Sequence, residues 1–130
     1  MQIYLFIGIG GAIGSCLRFL VSSLSADQLG TGFPYGTILV NLLGSFLLGW
    51  FSTSIFFKRI DPKYTAAVNT GLIGSFTTLS TLSVEFTTLF YRGSFLAAAS
   101  YIGFSVVGGL IMAYLGLLLG MQKKEGEQSW

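Results

Sequence analysis

The chain has 130 residues, 52% hydrophobic and 9% charged, with a formal net charge of +2. Soluble domains carry roughly 25% charged residues, so this composition indicates a chain solvated by lipid, and too few Lys and Arg remain for a basic nucleic-acid surface. There is no histidine and a single cysteine, Cys16, which excludes an intramolecular disulfide and a Cys/His metal site.

Four apolar stretches, at about 3–24, 35–57, 64–91 and 94–120, each exceed the roughly 20 residues needed to cross a bilayer. The predicted fold class is all-α: one integral membrane domain over residues 1–130, with four transmembrane helices and connections too short to hold a soluble domain. The first stretch has no basic residue before it and is too long for a signal-peptide core. Its Gly10 and Gly14 form a GxxxG pair suited to close helix packing. Cys16 is expected to be a small buried residue. Arg18 is the only basic residue inside a span; it either snorkels to the interface or draws anions toward a vestibule.

Pro34 opens the second stretch, where Thr37, Asn41 and Ser45 share one face with Gly44 beside them. A buried asparagine amide offers two N–H donors and one acceptor. Asn41 therefore either donates to a dehydrated anion or ties two helices together. Asp61-Pro62 supplies an N-cap and an N1 proline for the third stretch. Gly93 then closes it as a C′ residue, and Ser94 caps the fourth. Within the third stretch, Gly71-Leu72-Ile73-Gly74-Ser75-Phe76-Thr77-Thr78-Leu79-Ser80-Thr81-Leu82-Ser83 is a poor helix former. A hydroxyl-rich break inside a membrane is tolerated only where its freed groups are buried in protein or line a polar cavity. Such a break is a candidate ion site, with hydroxyls and loose carbonyls suited to a hard cation; back-bonding of Thr77 and Thr78 to the helix is the alternative. Glu85, further along, is either a proton or cation site or a partner for nearby threonines. On the fourth stretch Tyr101 and Ser105 place two hydroxyls one turn apart, and Gly116 and Gly120 form a second GxxxG pair. Trp50 and Trp130 suit the membrane interface.

With four spans, both termini and the middle loop share one side. That side holds Lys58, Arg59, Lys63, Lys123 and Lys124, against Arg92 and, if it snorkels, Arg18 on the other. The positive-inside rule then predicts cytoplasmic termini in the cell membrane. Four helices enclose little volume, so an oligomer is expected.

Three motifs carry a resemblance: Gly10-Gly11-Ala12-Ile13-Gly14-Ser15-Cys16-Leu17-Arg18-Phe19, then Gly36-Thr37-Ile38-Leu39-Val40-Asn41-Leu42-Leu43-Gly44-Ser45-Phe46, then the break 71–83. Together, over about residues 8–109, the chain resembles the Fluc (CrcB) family of small fluoride channels. The resemblance implies an antiparallel dimer with two pores, a third helix broken mid-membrane, and a structural Na+ at the dimer interface held by backbone carbonyls of Gly74 and Thr77 from both subunits. It implies a pore built from Asn41 with hydroxyls of Thr37, Ser80, Thr81, Tyr101 and Ser105, and vestibule groups Arg18 and Glu85. Fluoride is small and strongly hydrated, so such a pore must replace its water with donors; the family also uses the positive edges of phenylalanine rings.

The chain departs from the family's pattern at Leu79 and Leu82, which stand where the signature phenylalanines do, and at Gly109, which matches the last serine of the hydroxyl track. Leucine has no ring edge to offer. Together with the charge bias, this points to one half of a heterodimer whose partner supplies the rings, and the sequence offers no enzyme site. The alternatives are a homodimer with altered pores, a non-conducting accessory subunit, or a small multidrug-type proton-coupled exporter. That last class requires a carboxylate in the middle of the first span, which this chain lacks.

Overall fold

The computed structural model describes residues 1–122, all of whose regular elements are helical. Helix α1 runs Gln2–Leu29, α2 Tyr35–Thr53, and a short α3 Ile55–Lys58. The third apolar stretch is not one helix. It begins as α4 (Pro62–Ala66), widens into a π-helix (Ala67–Ile73), tightens into α5 (Gly74–Phe76), stops, and resumes as α6 (Ser80–Tyr91). Helix α7 spans Phe95–Gln122. Among the described residues, three helices are long and apolar enough to cross a membrane: Gln2–Leu29, Tyr35–Thr53 and Phe95–Met121. Against the expected boundaries, the first helix extends to Leu29 and the second ends at Thr53, where Ser54 is extended.

The expected caps are present where their chemistry is local. Asp61 accepts from the Lys63 N–H at 3.0 Å, and Pro62 follows it. Gly93, at φ 75°, ends α6. There the Gly93 N–H reaches the Phe90 carbonyl and the Ser94 N–H the Leu89 carbonyl, the paired bonds of a Schellman motif.

Glycines set the packing. Gly10 and Gly14 lay α1 directly on the backbone of the π-helix, against the carbonyls of Ala67 and Leu72, and Gly71 answers from the other side against Ile7. Gly49, Gly116 and Gly120 do the same for α2 and α7. Side chains larger than hydrogen would separate these backbones. Helix α6 leans on α7 through a cluster of Leu89, Ala98 and Tyr101. Most large apolar side chains remain exposed, as expected where lipid rather than water is the solvent. Cys16 corrects an expectation: it is exposed, not buried. It lies two residues past Gly14, roughly 200° around the helix from the face that packs.

Candidate functional site

The break is built by diverted hydrogen bonds. Thr77 is extended (φ −78°, ψ 157°), while its N–H and its hydroxyl both still donate to the Ile73 carbonyl, at 3.0 and 3.1 Å. In a continuous helix the Thr78 N–H would close onto the Gly74 carbonyl. Instead it donates to Asn41 Oδ1 at 2.8 Å, and Asn41 Nδ2 donates to the Thr78 carbonyl at 2.9 Å. Only one orientation of the amide satisfies both bonds. The Thr81 N–H, which would have closed onto the Thr77 carbonyl, donates to the Thr78 hydroxyl at 3.2 Å. Thr78, two residues before α6 begins, thus caps its first turn by accepting the Thr81 N–H. The two carbonyls that lose these partners are those of Gly74 and Thr77. Gly44, one turn beyond Asn41, lets α2 come this close: a Cβ there would collide with the Thr77 methyl.

The Asn41 amide therefore joins two helices and retains a second N–H on Nδ2. It borders an open groove of about 440 Å³, which Gly74, Thr77 and Leu79 also line. The hydroxyls of Ser80 and Thr81 lie 3.3 and 3.0 Å from that of Thr78, so Asn41, Gly74, Thr77, Ser80 and Thr81 converge at the break.

The remaining track residues form a second cluster. Tyr101 is fully buried, and its hydroxyl donates to Glu85 Oε2 at 2.7 Å. Thr37 is buried against the same hydroxyl. Ser105, one turn along α7, is buried, and its hydroxyl has no partner among the described residues. Glu85 and Thr37 open onto a cavity of about 260 Å³ that Ser22, Ser25 and Arg92 also reach. Arg18 belongs to neither cluster; it is half-buried on α1 and makes no ion pair among the described residues. Leu79 is 76% exposed at the lip of the groove, whereas Leu82, which also lines the groove, packs on its other side against the Tyr101 cluster.

Sequence reasoning did not anticipate the role of Thr78 as the anchor of the break, nor that of Arg92 at the second cavity. It also missed the π-helix, in which Asn69 Oδ1 is buried without a partner among the described residues. The threonine three residues before another hydroxyl residue was the available signal for Thr78. Nothing in local sequence marks a π-helix or the reach of Asn41.

Residues 5–117 match the family described as CrcB-like protein, Camphor Resistance (CrcB). The chain is 42% identical over 128 residues to "Fluoride-specific ion channel FluC 2" of Geobacillus kaustophilus, covering 96% of this chain and 98% of the relative. It is 47% identical over 105 residues to "Fluoride-specific ion channel FluC 1" of Desulfitobacterium hafniense, covering 79% and 90%. It is 38% identical over 118 residues to "Fluoride-specific ion channel FluC 1" of Listeria monocytogenes, covering 91% and 97%.

Proposed function

This chain belongs to the CrcB-like protein family, and from that premise we propose that it is a subunit of a fluoride-selective channel that lets fluoride leave the cytoplasm passively. The observation that carries the reading is the Asn41 amide, clamped at the helix break with one N–H left to give. A clamped donor needs no reorganisation when it replaces water on a small anion. The hydroxyls of Ser80 and Thr81 stand beside it, and those of Thr37, Tyr101 and Ser105 extend the track into the second cluster. Arg18 and Glu85 act as vestibule groups, Arg18 at longer range and screened by salt. In liposomes loaded with fluoride, Asn41→Asp, which adds a negative charge and removes a donor, should cut efflux sharply. Near-normal efflux would take Asn41 out of the pore.

The donor set at the break fits a Na+ ion. The carbonyls of Gly74 and Thr77 are neutral oxygens stripped of their helical partners, the ligand type hard cations accept. Bound there, the ion supplies a fixed positive charge that organises the subunit interface and favours an anion nearby. Because the ligands are main-chain atoms, Thr77→Ala should leave its affinity nearly unchanged.

The channel is an antiparallel dimer in the cell membrane, in which the third apolar stretch completes a fourth crossing broken at membrane depth. Exposed Leu79 at the groove's edge offers no aromatic edge to fluoride, which supports a heterodimer whose partner brings the rings. Lys58, Arg59 and Lys63 bias the middle loop toward the cytoplasm; Lys123 and Lys124, counted in the same bias, lie outside the described residues. Cysteines introduced at the two ends of α1, in a Cys16-free background, should each label from one side only, and the two from opposite sides. Equal labelling from both sides would refute a fixed orientation.

A further inference from the structure

We propose that the side chains of Asn41 and Thr78 are positioning residues for the cation site: each takes the N–H that would otherwise silence one cation ligand. The inference rests on the reading of Gly74 and Thr77 as Na+ ligands and adds a cause for their availability. Two N–H groups at the break are taken up by side chains, and each diversion leaves one carbonyl, that of Gly74 or of Thr77, without its helical donor. Asn41 Oδ1 takes the Thr78 N–H from the Gly74 carbonyl at 2.8 Å. The Thr78 hydroxyl takes the Thr81 N–H from the Thr77 carbonyl at 3.2 Å. The correspondence is one to one.

Burial makes the diversion decisive. Thr78 is only 9% exposed, so water is a poor substitute acceptor for its N–H. A buried backbone donor deprived of its partner finds another. The acceptor one helical turn back is the Gly74 carbonyl, and closing that bond extends α5 through the break. Asn41 is thus a pore donor through its spare N–H and a keeper of the break through its oxygen. These two roles separate by substitution. Aspartate keeps the acceptor and loses the donor; leucine, of similar size, loses both.

The test measures Na+ binding apart from flux. The melting temperature of the purified protein in detergent is followed as Na+ replaces N-methylglucamine at constant ionic strength. The native chain should melt higher as Na+ rises, and fitting that rise gives the Na+ concentration of half-occupancy, the midpoint. Asn41→Asp should keep a midpoint no weaker than native although its fluoride flux is lost. Asn41→Leu should raise the midpoint about tenfold, since the ion must first displace a backbone hydrogen bond. Thr78→Val, which keeps the side-chain shape and removes the hydroxyl acceptor, should raise it similarly and gives the readout if Asn41→Leu does not fold. Native midpoints in Asn41→Leu or Thr78→Val would overturn the positioning role and leave the cation reading standing. No Na+ response in the native chain would overturn the cation reading, and this inference with it.

Discussion

Removing one oxygen atom from Tyr101 isolates a short polar contact between α6 and α7. The ring is fully buried, and its hydroxyl lies 2.7 Å from Glu85 Oε2. Tyr101→Phe keeps the ring and its packing against Phe33, an edge-on contact at 5.8 Å between centroids. No cavity larger than the hydroxyl is opened. What is lost is a hydrogen bond to a carboxylate, worth about 1.5–3 kcal/mol net. Exposed pairs are worth less, but this one sits beneath the Leu89–Ala98 cluster. A double-mutant cycle with Glu85→Met, which removes the acceptor at similar length, separates the pair from its surroundings. The unfolding free energies of the native chain, both single variants and the double variant are measured in mild detergent. A coupling of about 1 kcal/mol or more is expected, together with slower fluoride efflux in Tyr101→Phe, because the track loses a hydroxyl. A coupling near zero would show that the two groups do not depend on one another and would refute the reasoning.

Gly14→Ala places a methyl against the Leu72 carbonyl, a main-chain atom that cannot swing away; it should destabilise the fold by about 1–3 kcal/mol. Gly8→Ala, where the space is open, should be neutral or slightly stabilising through helix propensity, and equal losses at the two sites would refute the close-packed interface. Leu79→Phe with Leu82→Phe should raise fluoride flux from the chain alone. Strong selective flux from the unmodified chain without a partner would show that leucines suffice. Chiefly the Lys63 N–H, and then the Lys63 side chain, hold the Asp61 carboxyl below its ordinary value. A lowered folded pKa means that the cap stabilises the start of α4 above the unfolded value, near about 3.9. That contribution disappears as the pH falls through the lower folded value. Asp61→Asn should abolish this acid dependence, and an unchanged acid profile would count against the cap.

What the sequence determined by itself was local. Lipid solvation followed from composition, helix limits near Pro34, Asp61-Pro62 and Gly93 from capping chemistry, and the interruption near Thr77 from a run of Gly, Ser and Thr. Each depends on residues within a turn or two of one another. The family was also legible, because the motif residues are read without knowing what they touch. Tertiary structure alone decided how the break is held. Asn41 and Thr78 are 37 residues apart, and their pairing exists only because Gly44 lets α2 approach. The seven-residue π-helix likewise arises where α1 presses its glycines onto the chain. The joining of Glu85 to Tyr101 needed α6 to lean on α7, and the outward turn of Cys16 needed to know which face of α1 is covered. In each case the deciding hydrogen bond or contact links distant segments, and local patterning carries no record of which distant group arrives.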